Sequence, residues 1–244
     1  MGTRHIICIF WKGKFLVAQY GQWDGYPEGQ GVKIFRFLSV QRNIDHLKDG
    51  LEKRVYYPTI EQLRTMQAEV DNWEHNFFQN GGIAFGNERN GWLVLYPSLA
   101  RDTGAQILRL IAHASMVKED EETREEKDDK STEVEKSDEK NGDSSSAVGS
   151  KETRIPIQLQ LGFVNDGLFC EWAYVIDLDN EVFEVFGGTV DKDDHHRFKD
   201  VGDERDSVPG LVCSLKFSEL QLMKSQEEFL GKVKDVLEGT LESD

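Results

Sequence analysis

Eleven positions from 21 to 31, in the run Tyr20-Gly21-Gln22-Trp23-Asp24-Gly25-Tyr26-Pro27-Glu28-Gly29-Gln30-Gly31, hold four glycines. Glycine opens backbone conformations closed to other residues and lets main chain approach a ligand closely. With two aromatic rings and several polar groups at hand, this loop is a candidate ligand site. Its members are Arg4, Tyr20, Gln22, Trp23, Tyr26, Glu28, Gly29 and Gly31. Gly29 to Gly31 directly precede an apolar stretch that reads as a helix, where free backbone N–H groups would suit an anion. Asp24 and Glu28, in the same loop, would repel a phosphate. A tight turn with Trp23 and Tyr26 packed on the core explains the glycines equally well.

Acid–base chemistry has thinner support. Glu171 interrupts an apolar run, on the face shared by Phe169, Ala173 and Val175, and would form a catalytic carboxylate pair with Asp24 if the fold joined them. Arg4 and His5 are candidates for a charge partner and a proton carrier facing the loop. His195 and His196 stand beside Asp191, Asp193 and Asp194, but this stretch reads as a mobile polar loop rather than a metal site. Asp177-Leu178-Asp179 lacks the glycine and ligand spacing of a calcium-binding hand. No cofactor or metal is expected.

Several segments carry a resemblance. Met1-Gly2-Thr3-Arg4, the run Ala18 to Gly31, Arg101-Asp102-Thr103-Gly104-Ala105, and Leu168 to Asp179 resemble a family of uncharacterised proteins of fungi, bacteria and bacterial viruses. The likeness covers most of the ordered chain and implies no activity, cofactor or catalytic residue. A Gly-Thr junction before a buried strand, then a Lys-Gly turn and a second strand, is also similar to the start of threonine-type N-terminal-nucleophile hydrolases. That resemblance implies Thr3 as nucleophile, its own free α-amine acting as general base after cleavage at Gly2-Thr3, with Lys33 as a nearby positive charge. The plainer reading is that Thr3 begins a strand.

The elements that must position these residues follow from patterning. Of the 244 residues, 38% are hydrophobic and 30% charged, which points to a segment that cannot fold. That segment is 118–153, where Val134, Ala147 and Val148 are the only apolar side chains among 14 acids and 7 bases. Its net of −7, set against −16 for the whole chain, leaves −9 on the remainder. An acidic folded part without a basic stripe disfavours nucleic acid as a partner. Cys8, Cys170 and Cys213 lie singly in apolar runs, as buried thiols of a reducing compartment do. With no leader-like or membrane-length apolar run, no Asn-X-Ser/Thr site and no myristoylation motif, the expected location is cytoplasmic, possible nuclear entry aside, without a membrane partner.

His5 to Trp11 and Lys14 to Tyr20 read as strands around Lys12-Gly13, the first apolar on both faces. Val32 to Leu38 reads as a helix, and Ile44, Leu47 and Leu51 continue at helical spacing. A Thr59-x-x-Gln62 capping box opens a helix carrying Leu63, Met66, Val70 and Trp73. Ile83 to Phe85 and Trp92 to Tyr96 read as a hairpin, and Thr103-x-x-Gln106 as a second capping box. Beyond the insertion, Ile155 to Phe163, Leu168 to Asp179 and Glu181 to Phe186 read as a three-stranded meander. The polar stretch Asp191 to Asp206 precedes a last strand from Leu211 to Phe217, and Phe229, Leu230, Val233, Val236 and Leu237 mark a closing helix.

The expected fold class is therefore α+β, with layered, mainly antiparallel sheets and packed helices. Residues 1–117 and 154–244 together form one domain, interrupted by the disordered acidic insertion 118–153. Two functional readings stay open. One is a soluble binding module that uses loop 21–31 to recognise a small molecule or a protein. The other is an amide hydrolase, with Thr3 as nucleophile or Asp24 and Glu171 as acid and base.

Overall fold

The computed structural model describes residues 2–79, 81, 90–117, 154–203 and 207–241. The acidic insertion and the Ile83 to Phe85 arm of the expected hairpin lie outside the described residues. The fold is α+β, a five-stranded mixed sheet with helices packed on one face.

Strand β1 (His5–Trp11) sits inside the sheet because both its faces are apolar. Antiparallel β2 (Lys14–Gly21) follows through a two-residue turn in which Lys12 and Gly13 take φ of 55° and 74°, the geometry that matches strand twist. On its other side β1 pairs in parallel with β5 (Trp172–Asp177), more than 150 residues later in the chain. The order is β2-β1-β5-β6-β7, with β6 (Val182–Asp191) and β7 (Ser207–Lys216) completing an antiparallel meander.

Ile7, Ile9, Tyr174, Ile176, Phe183 and Val185 point to the helical face. There they meet α1 (Val32–Leu38), α2 (Gln41–Lys53), α5 (Gln106–Met116) and α7 (Gln226–Leu241), with α6 (Phe217–Leu222) alongside. Helices α2 and α5 approach so closely that a Cβ on Gly50 would lie 2.1 Å from the Ile111 carbonyl oxygen. Phe35, Phe229, Phe183 and Tyr174 form a row of stacked rings running from α1 into the sheet. Ile6, Cys8, Ala173, Val175 and Phe186 face the other way, into a smaller core closed by irregular chain.

That second layer corrects several expectations. The stretch after Asp191 is anchored rather than loose: Phe198 is fully buried, and the Lys192 ammonium donates to the carbonyls of Val201 and Asp203. The alternating run from Ile155 is a strand only at β4 (Ile155–Pro156), paired with β3 (Val55–Tyr56), and becomes a 3-10 turn at Leu161–Asn165. Gln160 explains the break. Its N–H donates to the Ala18 carbonyl and its side chain accepts from the Tyr20 N–H, so it covers the β2 edge without extending the sheet.

Trp92 to Tyr96 falls mainly in helix α4 (Gly91–Leu95), capped by the Asn90 side chain on the Leu93 N–H at 3.2 Å. The Thr59/Gln62 capping box forms in both directions at the start of α3 (Ile60–Gln79), at 2.8 and 3.2 Å. No such box forms at Thr103, whose hydroxyl donates to the Pro97 carbonyl instead.

Candidate functional site

β1 begins, β2 ends and β5 begins at the same end of the sheet, because His5 is in register with both Gly21 and Trp172. Thr3, Arg4, loop 21–31 and Glu171 therefore share one corner, joined from the side by residues 100–105. The sequence segments singled out as distinctive lie mostly within this corner.

The loop is fastened at several points. Gly25 donates its N–H to the Thr3 carbonyl at 3.0 Å, and its own carbonyl accepts from the buried Tyr174 hydroxyl at 2.6 Å. The Gln22 N–H donates to the Arg101 carbonyl at 3.1 Å. The buried Gln30 amide acts as a staple, donating to the Trp23 carbonyl at 3.2 Å and accepting from the Ala105 N–H at 2.9 Å.

The glycines serve these contacts. A Cβ on Gly21 would come within 2.2 Å of the His5 ring, and one on Gly29 within 2.2 Å of the Asp24 carbonyl oxygen. Their lack of a side chain lets the chain come close to itself. Gly31 is buried against Tyr174 and Phe229. The expected anion seat is already filled from within: Gly29 donates to the Tyr26 carbonyl, Gln30 to Asp24 and Tyr26, and Val32 to Pro27 and Gly29, as the chain winds through a short π turn (Pro27–Gly31) into α1.

What faces outward is aromatic and charged. Trp23 and Tyr26 are each 51% exposed, and Asp24 and Glu28 are exposed beside them. Gly2 packs against the Trp23 indole. Arg4 stacks on the Phe169 ring, 4.2 Å from its centroid, and its N–H donates to Glu171 Oε1 at 3.2 Å. Leu168 and Phe169 extend the apolar surface. Tyr20 is half-buried edge-on to Phe163, its hydroxyl donating to Gln22 Oε1 at 2.5 Å.

The candidate catalytic residues do not form a set. Thr3 is buried, with its carbonyl taken by Gly25. Glu171 precedes β5 and is exposed, bound to the Arg4 N–H. Asp24 is exposed at a φ of 57°. Among the described residues no hydrogen bond or ion pair joins Asp24 to Glu171. Nor do three or more His, Cys, Asp or Glu side chains gather as metal ligands among them. His196 accepts from the Phe198 N–H through Nδ1 at 3.2 Å and donates from Nε2 to the Pro209 carbonyl at 3.1 Å, which leaves neither nitrogen for a metal.

His5 is the residue whose setting sequence reasoning missed. Sharing a face with Ile7 and Ile9, it is fully buried beneath Gly21, edge-on to Tyr174, and among the described residues neither ring nitrogen has a hydrogen-bond partner. Burial pushes its pKa down to about 4, which the nearby Thr3 backbone and Asp24 only partly offset. The alternation of β1 was the available signal, since it puts position 5 on the helical face. No family model, curated protein or solved structure matches the chain.

Proposed function

We propose that this protein is a binding module that recognises a protein partner through the corner presenting Trp23, Tyr26, Arg4, Leu168 and Phe169. The observation that carries the reading is the pairing of two half-exposed rings with a loop held at Thr3, Arg101, Ala105 and Tyr174. Large aromatic side chains on pre-ordered backbone lose little freedom on binding and are the usual anchors of interfaces. The exposed Asp24 and Glu28, in the same loop as those rings, favour a basic partner surface. Trp23, Tyr26, Leu168 and Phe169 are 51%, 51%, 79% and 41% exposed, which suits a macromolecular surface better than an enclosing small-molecule pocket at this corner. Three free thiols, two of them buried, support a reducing, cytoplasmic setting.

Quantitative affinity capture with the full chain and with a Trp23→Ala/Tyr26→Ala variant tests the proposal. Partners that depend on the corner disappear with the variant while its melting temperature stays within a degree or two. An identical set of retained proteins would sink the reading.

A further inference from the structure

The His5 ring is walled in by two kinds of structure. On one side stands the main core, with Tyr174 edge-on at 6.5 Å between ring centroids. On the other lies the loop: a Cβ on Gly21 would come within 2.2 Å of the His5 Cε1 and Nε2 atoms, and one on Gly25 within 3.0 Å of the His5 Cβ. The side chain is fully buried, and among the described residues neither ring nitrogen makes a hydrogen bond.

The two walls differ in how they are fixed. Tyr174 belongs to the row of stacked rings in the core and moves only with it. Residues 22–26 bury no apolar side chain, since Trp23 and Tyr26 are half-exposed and Gly25 is the buried member. Their attachments are polar. The Gln22 N–H donates to the Arg101 carbonyl, the Gly25 N–H to the Thr3 carbonyl, the Tyr174 hydroxyl to the Gly25 carbonyl, and Gln30 to the carbonyls of Trp23 and Asp24. A surface segment tied by hydrogen bonds rather than by apolar burial can open at less cost than global unfolding.

While the loop is closed, a second proton on His5 is poorly housed. The Thr3 backbone favours the charged ring, but its carbonyl already accepts from Gly25. Asp24 attracts that charge from the loop, Lys33 repels it from α1, and the Tyr174 hydroxyl is committed to Gly25. Burial outweighs the favourable groups and holds the pKa at about 4. Once the loop lifts, water meets the ring and the ordinary value of 6.5 returns.

We propose that residues 21–26 are a proton-operated latch over His5, closed on the neutral imidazole and opened when the ring takes up a second proton. The latch carries Trp23 and Tyr26, so acid weakens the corner's hold on a partner; that consequence, unlike the latch itself, rests on the reading of the corner as a binding surface.

Hydrogen exchange of the full chain, free of any partner, at pH 7.5 and 5.0 and corrected for the intrinsic rate tests it. A ring with a pKa of 6.5 when open and about 4 when closed raises the opening constant about 30-fold between those pH values. The amides of Gln22 and Gly25 are expected to lose that factor in protection, while those of β5 and β6 stay the better protected. His5→Leu is expected to remove the pH dependence. Gln30→Ala, which unfastens the Trp23 carbonyl without touching the ring, is expected to lower protection at both pH values and keep the ratio between them. Equal protection at the two pH values, the same loss in His5→Leu, a ratio lost in Gln30→Ala, or exchange in step with β5 and β6 would each overturn the latch. Because the readout needs no partner, such a failure leaves the corner's binding role standing, and a failed capture experiment leaves the latch standing.

Discussion

Replacing His5 with leucine should remove most of the acid sensitivity of this fold between pH 6.5 and 4. The native imidazole is enclosed by Gly21, Gly25 and Tyr174, and among the described residues neither ring nitrogen makes a hydrogen bond, the nearby Thr3 backbone offsetting only part of the cost of charging it. Its pKa falls from 6.5 to about 4, principally through burial. In that interval the unfolded chain binds a proton that the folded chain refuses, so stability declines as pH falls. It is fully present above 6.5, and its loss is complete near 4. Each pKa unit corresponds to about 1.4 kcal/mol, so His5 alone accounts for about 3 kcal/mol across the interval. His196, also held below its ordinary value chiefly by burial, adds in the same direction, and subtracting the variant from the parent isolates His5. Leucine is close in volume and needs no partner, so at pH 7.5 the variant should match or exceed the parent by about 1 kcal/mol, the relief of unsatisfied buried nitrogens. Urea unfolding at pH 7.5, 6.5, 5.5 and 4.5 reads both quantities. An unchanged pH slope in His5→Leu would show that the ring is solvated or paired in solution, and the reasoning would fail.

Three further outcomes follow from the same contacts. Gln30→Ala removes the staple between the Trp23 carbonyl and the Ala105 N–H and should cost about 1–3 kcal/mol, with faster amide exchange across residues 22–31 in deuterium-exchange mass spectrometry. Arg197→Met leaves Asp177 and Glu184 without their cation; thermal unfolding at pH 7 should show a loss of about 3–5 kcal/mol. Intact mass of the untagged protein should show no cleavage between Gly2 and Thr3. A chain beginning at Thr3 would make the amide-hydrolase reading the stronger one, since that chemistry needs a free amine on its nucleophile.

Local signals in the sequence were sufficient where one element decides its own structure. The two-faced apolar run of β1, the Lys12-Gly13 turn and the Thr59/Gln62 box needed no distant partner to be read. Trp92 to Tyr96 has a strand's composition, yet Asn90 caps it as a helix and Gly91 packs it onto α3, with the Gly91 N–H donating to Glu74 at 2.9 Å. The alternation from Ile155 to Phe163 failed for a similar reason, because Gln160 spends its backbone and side chain on β2. At the corner the glycines were visible, but what they accommodate depends on His5, Thr3 and Asp24 in three dimensions. The parallel pairing of β1 with β5, which gathers that corner, has no local signature at all.

That pairing also sets the order in which the molecule can be made. β1 leaves the ribosome well before one of its two neighbours, β5, which is synthesised only after the entire acidic insertion and the residues around Val164 have emerged. Through that interval an apolar strand waits with an open edge and one face that only later chain can cover, since Val164, Phe186, Phe198 and Val208 all come afterwards. Assembly is therefore late and dominated by contacts distant in sequence, a slow class of folding that leaves aggregation-prone surface exposed. A nascent chain halted before β5 would be a substrate for chaperones, and its β1–β2 hairpin is the segment they would hold.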